Sequence, residues 1–309
     1  MALNYKKIIK SRNARLAVLR LLKFVPDKAM LGFQYRIKMG KRLDLINPQS
    51  YSEKIQWYKL YYRDPKMIRC VDKYDVREYL EEIGCSDLLV KCYGIFDSAE
   101  SIDFSQLPNS FVMKDTLGGG GNSVILVHDK HEVDEADIKN QLKKWLDKPV
   151  KPDAGREWPY YSGKKHRILI EELLSDKNHS MLTDYKFLCF NGEVFYLQIF
   201  SNRKLGDSHL EEGFFDKSFR QLNVCGIEHR RLTDYNLTED TFNKLKAVAT
   251  RLCKGFPHVR VDLYFVNGKT YFGELTFFPA SGYKQYTNED FDYELGKNFV
   301  LPEKLQGTT

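Results

Sequence analysis

Two carboxylates and an arginine stand close together near the end of this 309-residue chain, in the run Val259-Arg260-Val261-Asp262-Leu263-Tyr264-Phe265-Val266-Asn267-Gly268-Lys269-Thr270-Tyr271-Phe272-Gly273-Glu274-Leu275-Thr276. An Asn-Gly pair between alternating apolar residues is the strongest local signal for a hairpin, because both central positions of a type I′ turn need positive φ. Counted outward from the turn, Asp262 and Glu274 fall nearly opposite each other on neighbouring strands, where they can converge on one hard cation. Arg260 shares the face of Asp262 by the two-residue strand period. An arginine and two acids on one side of a hairpin suit a metal-nucleotide site. The plainer alternative is an amphipathic hairpin with its polar face in water and Arg260 paired to Asp262.

A second group has the composition of a phosphate site. Gly118, Gly119, Gly120 and Gly121 lie between two β-favouring runs, Phe111-Val112-Met113-Lys114 and Val124-Ile125-Leu126-Val127. Each glycine costs about 0.5–1 kcal/mol relative to alanine in regular structure. A loop whose bare N–H groups wrap phosphate oxygens would account for four in a row. A mobile hairpin loop is the simpler reading, but Lys114 sets an ammonium beside the loop and favours phosphate. The glycines do not open a helix, so neither the Walker pattern nor a dinucleotide fingerprint applies.

The elements that must position these groups alternate between helix and strand. Helices are expected over 5–24, 52–62, 133–146 and 239–254, with another opening at Asp72. Strands are expected over 88–93, 111–114, 124–127 and 166–174, and a second hairpin over 185–200 around Asn191-Gly192. The apolar and charged fractions, 42% and 29%, are those of an ordinary globular protein. Six scattered cysteines contain no Cys-x-x-Cys pair, which argues against a zinc site or a disulfide framework and makes a reducing, cytoplasmic setting the simplest account. No apolar run is long enough to span a membrane. Between Lys6 and Lys23 seven basic residues and no acids interleave with Ile and Leu. That is the pattern of a helix that packs on the body of the protein or lies on the anionic inner face of the plasma membrane. The net charge of +6 is not gathered into a reader module, so no nucleic acid is expected as a partner.

A lysine closing a strand, a glycine-rich β-loop-β, a strand ending in glutamate and a late Arg-x-Asp…Glu hairpin occur in the order found in ATP-grasp enzymes. The chain resembles that superfamily, and more narrowly the TupA-like ATP-grasp proteins of bacterial cell-surface polysaccharide synthesis. The narrower likeness rests on Glu53-Lys54-Ile55-Gln56-Trp57, Asp72-Lys73-Tyr74 with Arg77, Leu107-Pro108 before the Lys114 strand, Asp184-Tyr185-Lys186-Phe187, Arg260-Val261-Asp262 and Phe272-Gly273-Glu274-Leu275-Thr276. The resemblance implies an α/β (α+β) fold in which two mixed or antiparallel-sheet subdomains clasp ATP behind an N-terminal helical segment. The divisions expected are 1–64 (basic helical region), 65–110 (a small α/β region), 111–174 (the lid with the glycine loop) and 175–309 (the subdomain with the metal site).

It also implies roles. Lys114 and Lys73 would face the ATP phosphates, and Gly118 to Gly121 would cover them. Glu171 would lie near the adenine amino group, with Glu172 and backbone groups through Leu174 along the base edge. Asp184 and Lys186 would face the phosphates or the acceptor. Asp262 and Glu274 would hold Mg²⁺, and Arg260 would stabilise the transferred phosphoryl group. Where many relatives have an asparagine as a further metal ligand this chain has Thr276, a poorer donor. The chemistry implied is a carboxylate–amine ligase that works through an acylphosphate, on a uronic acid or an amino-acid carboxylate and an amine. A glycosyltransferase using a nucleotide sugar is the alternative, because Asp290-Phe291-Asp292 matches Asp-x-Asp, although that triplet reads more simply as a solvated loop. The rings of Trp158-Pro159-Tyr160-Tyr161 and of 277–283 suit a sugar face or the core, core being the simpler account.

Overall fold

The computed structural model describes Leu22 and residues 24–119, 123–150, 155–175, 182–201 and 210–305. Nearly all of the helix expected over 5–24, together with Gly120 and Gly121, lies outside the described residues. The helices run α1 (Asp27–Met39), α2 (Tyr51–Tyr61), α3 (Lys66–Cys70), α4 (Val76–Glu82), α5 (Glu135–Leu146), α6 (Glu239–Leu252) and α7 (Asp290–Asn298). The strands form two sheets. The smaller has four antiparallel strands in the order β1 (Cys92–Phe96), β4 (Ile168–Glu171), β2 (Phe111–Asp115), β3 (Val124–Val127). The larger has the order β10 (Lys269–Thr276), β9 (His258–Val266), β5 (Asp184–Phe190), β6 (Glu193–Ser201), β7 (Glu211–Asp216), β8 (Arg230–Arg231), parallel only between β7 and β8.

Each sheet buries its own apolar face. Asp134 caps α5 by accepting from Ala136 N and Asp137 N, and Ile138, Leu142 and Trp145 then fall on one helical stripe. That stripe joins Phe111, Met113, Val127, Ile168 and Ile170 in one cluster. Thr238 caps α6 in the same way, and Phe242, Leu245, Ala249 and Leu252 pack with Phe187, Val259, Val261 and Leu263 in the larger cluster. Fully burying a side chain of this kind contributes roughly 1.5–3 kcal/mol. With its apolar side under α6, the large sheet is left to present its other side to the site.

Several elements depart from expectation for local reasons. Asp72 accepts from Tyr74 N and Asp75 N at 2.8 and 3.0 Å, so 72–75 form a turn and α4 begins only at Val76. Residues 86–88 make a 3₁₀ turn, and β1 starts at Cys92. Helix α2 starts one residue earlier than its apolar pattern suggests, through a capping box between Ser50 and Glu53. Asp290-Phe291-Asp292 is not a solvated loop. It is the first turn of α7, because Phe291 and Leu295 anchor that helix in the core, and Asp292 accepts from Ser52 N and Oγ at 3.0 and 2.6 Å. Phe277 and Phe278 are core residues, as is Trp158.

Candidate active site

The hairpin of β9 and β10 turns at Asn267 and Gly268, whose φ values of 50° and 79° are what an Asn-Gly turn supplies. From Lys269 opposite Val266 to Phe272 opposite Leu263 the pairing is regular, and then the register slips by one residue so that Glu274 faces Asp262 and Thr276 faces Arg260. Gly273 is the extra residue. A β-bulge of this kind re-aims every side chain beyond it. Without it Glu274 would pair with Val261 on the apolar side of the sheet. A glycine is required there, because a Cβ would stand 2.9 Å from the Asp262 carbonyl oxygen and 3.1 Å from the Tyr264 ring.

The bulge gathers Arg260, Asp262, Glu274 and Thr276 into one network. The Arg260 guanidinium donates through Nε to Asp262 Oδ1 at 2.6 Å and through a terminal nitrogen to Asp262 Oδ2 at 2.7 Å. The same nitrogen reaches Glu274 Oε1 and Thr276 Oγ1, each at 3.0 Å. Thr276 Oγ1 donates to Glu274 Oε1 at 2.8 Å. From the next strand Lys186, directly opposite Asp262, donates to Asp262 Oδ2 and lies 3.6 Å from Asp184. Both oxygens of the buried Asp262 are therefore engaged. Glu274 differs: its side chain is 43% exposed, and its second oxygen has no hydrogen-bond partner among the described residues.

Electrostatics follow from this packing. Burial by itself would raise the Glu274 carboxyl, but Arg260, Lys186 and Lys73 outweigh it and bring it down to about 2. Burial pushes the Asp262 carboxyl up, with Arg260 and Lys186 pulling the other way. Burial also works against the charge on Arg260, yet Asp262 and Glu274 hold it above the usual arginine range. Lys73 is pulled below the usual lysine range by burial and by Lys114, with Glu274 opposing.

Facing this hairpin is the base of the glycine loop. The Lys73 backbone N–H donates to Thr116 O at 3.1 Å, and its ammonium donates to Gly118 O. Gly118 lies so close to the returning strand that a Cβ would meet that of Ser123 at 2.6 Å, whereas Gly119 has open space around it. Asp115 anchors the turn: its Oδ1 accepts from Leu117 N at 3.1 Å and meets His166 Nδ1 at 2.7 Å. Lys114, 27% exposed, donates to Glu171 Oε2 at 2.8 Å, and Arg77 donates to Glu171 Oε1 at 3.0 Å. Glu171 thus orients a lysine and an arginine toward the cleft. Glu172 is exposed and its N–H donates to Lys91 O. Backbone groups of Leu173 and Leu174 have no hydrogen-bond partner among the described residues, an open edge suited to a flat base.

Contacts and mutual charge effects thus link Lys73, Lys114, Gly118, Glu171, Lys186, Asp184, Arg260, Asp262, Glu274 and Thr276 in one group, with Lys73 joining the Lys114 side to Glu274. Sequence reasoning gave no role to Arg77, which the helical register of α4 points at Glu171, or to Asp115, whose only signal was its place between Lys114 and the glycines. Around these residues the small sheet meets the 72–77 segment through charge. Arg167 from the small sheet's side pairs with Asp72 at 2.9 Å and Asp75 at 2.6 Å, beside the Arg77–Glu171 and Lys73–Gly118 contacts.

Among the described residues no three His, Cys, Asp or Glu side chains cluster as a ready-made metal cage. The donor set still fits Mg²⁺, which takes one or two carboxylates and completes its shell with phosphate oxygens and water. Glu274 has the free oxygen, and Asp262 would have to exchange Lys186 or Arg260 to join it.

Residues 53–300 match the family model of TupA-like ATP-grasp proteins. No curated protein matches the chain in sequence. Similar solved structures include D-alanine–D-alanine ligase from Helicobacter pylori (16% identity, 82% of this chain, 70% of that one, TM-score 0.46). The same enzyme from Bacillus anthracis gives 14%, 73%, 59% and 0.42, so the chain spans less than two thirds of that ligase. A RimK domain ATP-grasp protein from Sphaerobacter thermophilus gives 11%, 77%, 70% and 0.41. Family membership rests on the sequence match, which takes in well over half of the chain: it belongs to the TupA-like ATP-grasp family, within a class of enzymes that use ATP and Mg²⁺.

Proposed function

We propose that the chain is an ATP-dependent carboxylate–amine ligase acting on a sugar acid or an amino-acid carboxylate, in the assembly of bacterial cell-surface polysaccharide. The observation that carries this reading is the Arg260–Asp262–Lys186 network beside an open Glu274 oxygen, set across the cleft from Lys73 and Lys114. Phosphoryl transfer asks for positioning and charge neutralisation rather than a nucleophilic side chain. The acceptor carboxylate oxygen attacks the γ-phosphorus, the bond to the β–γ bridging oxygen breaks, and ADP leaves with that electron pair. The amine nitrogen then attacks the acyl carbon, the acyl C–O bond breaks, phosphate leaves, and the amine proton passes to phosphate or water. Arg260 and Lys186 would neutralise the charge that builds on the transferred group. Glu274, with Asp262, would hold Mg²⁺, which supplies neutralisation of the phosphate oxygens.

Purified protein with Mg²⁺-ATP, a hexuronic acid and an amine is expected to release phosphate and form an amide, and Glu274→Ala is expected to abolish both. Full activity in Glu274→Ala would refute the site. The nucleotide-sugar reading loses its motif, because Asp292 is engaged by Ser52 inside α7. Thermal stabilisation by UDP-sugar and not by ATP would restore it.

A further inference from the structure

Charge is divided unevenly along this chain. Residues 1–46 hold twelve of its 48 lysines and arginines but only two of its 42 acids, so this segment carries +10 and the rest of the chain −4. Among the described residues, the same segment turns large apolar side chains to solvent: Phe24 is 79% exposed, Phe33 59% and Ile46 98%. Single exposed apolar residues are ordinary on a protein surface, whereas three within 23 residues, interleaved with cations, are more than scatter.

Each of the three is held out by its own local contacts. Arg156 is buried and sits in the left-handed region at φ 53°, a conformation that costs a non-glycine residue energy. Its guanidinium donates to Leu22 O at 3.0 Å and Val25 O at 3.2 Å and pairs with Asp27 at 3.3 Å, which fixes the backbone on both sides of Phe24. Met30, Leu31, Gln34 and Tyr35 are the buried side of α1, so the helical period turns Phe33 and Arg36 outward. Asp44 Oδ1 accepts from Ile46 N at 2.8 Å and Asn47 N at 3.0 Å, a turn that displays Ile46. Lys41 and Arg42 are exposed between α1 and that turn, Lys41 pairing with the exposed Glu289 at 3.4 Å.

Helix α1 is built into the body of the protein. Tyr35 Oη and Ser52 Oγ share a hydrogen bond at 2.8 Å, Tyr283 Oη donates to Gln34 Oε1 at 3.2 Å, and Gln285 Nε2 donates to Lys38 O at 2.6 Å. A partner that engages the outer side of α1 therefore holds the segment that follows β10 as well.

Cations alone would suit any polyanion. A polyphosphate chain would neutralise the arginines and leave the apolar side chains in water, whereas the surface of an anionic bilayer takes both, the charges among the headgroups and the apolar groups just beneath them. We propose that Phe24, Phe33 and Arg36 of α1, and the segment Lys41 to Ile46 form a docking face for an anionic phospholipid bilayer. The seven basic residues between Lys6 and Lys23 add to its attraction for that surface.

The test is flotation of the full chain with vesicles of phosphatidylcholine alone and of phosphatidylcholine mixed with phosphatidylglycerol. It compares wild type with Phe33→Ser, with Ile46→Ser and with the double variant Arg36→Gln, Arg42→Gln. All four side chains are exposed, so each variant is expected to melt as wild type does. Wild type is expected to float with the anionic vesicles and not with the neutral ones. Each apolar substitution is expected to weaken that binding about tenfold. The double arginine variant is expected to weaken it about 25-fold, at about fivefold for each cation. Wild type that does not float with anionic vesicles overturns the proposal, as does equal binding by wild type and all three variants. Binding that falls in the arginine variant but not in Phe33→Ser or Ile46→Ser also overturns it and marks a polyanion site instead. A dimer that Phe33→Ser splits, with no vesicles bound, overturns it in favour of a second copy of the chain.

Discussion

Replacing Gly273 by alanine tests whether the bulge aims the active site. The new Cβ would sit 2.9 Å from the carbonyl oxygen of Asp262, against a favourable non-bonded separation of about 3.5 Å, so β9 and β10 must part by about half an ångström. The atom that has to move belongs to the backbone of Asp262, and Glu274 is the next residue on the displaced strand. Overpacking of this kind costs about 1–3 kcal/mol. In a domain of this size that lowers Tm by several degrees. A displacement of about 1 Å costs on the order of a hundredfold in rate, so half of that should cost roughly tenfold. Phosphate release at saturating ATP gives the rate, and a thermal melt gives the stability. Gly32→Ala is the control: it lies in α1 with nothing within 4 Å of its new Cβ, so it should leave the rate alone and leave Tm unchanged or slightly raised. Wild-type rate and Tm in Gly273→Ala would refute the claim that the bulge positions Glu274.

Arg260→Lys cannot reproduce the fork on Asp262 or reach Glu274 and Thr276 together. It should cut turnover about a hundredfold or more with a much smaller change in ATP affinity, as separate rate and binding measurements would show. Glu171→Gln keeps the shape but releases Lys114 and Arg77 from their charge partner, and KM for ATP should rise roughly tenfold while the fold persists. Burial alone would raise the Glu212 carboxyl, yet His229 and Lys284 hold it at about 2 in the folded chain against an ordinary 4.5, so its contribution to stability is complete above about pH 4.5 and lost as pH falls toward 2. Glu212→Gln should therefore destabilise the protein at neutral pH and flatten the acid limb of its stability curve. Parallel acid limbs for variant and wild type would contradict this.

What the chain announced in advance was what its local chemistry specifies. Both hairpins were visible because Asn191-Gly192 and Asn267-Gly268 adopt a conformation most residues avoid. Asp262 and Glu274 counted out one residue off a perfect pairing, and that offset was the bulge at Gly273; a lone glycine inside a strand pattern is its signature. Arg77 and Glu171 are separated by 94 residues, and nothing local joins them. The partners of Glu212 could not be found for the same reason, since His229, Lys284 and Gln198 come from three separate segments. Asp290-Phe291-Asp292 was misread because charge dominates its composition, while Phe291 and Leu295, a turn apart, decide its structure.

The seam between the small sheet and the 72–77 segment is made of buried charge. Each sheet keeps its own apolar cluster, and at Asp72, Asp75, Arg77 and Arg167 the small sheet touches the 72–77 segment through ions and hydrogen bonds. Asp72 is 0% and Glu171 8% exposed, so these pairs are largely sheltered from dissolved ions, and removing one partner would leave a buried charge uncompensated. The joint thus behaves as a latch. Salt reaches it weakly, and a nucleotide bridging Lys114 on one side and the Arg260 network on the other would fasten it further.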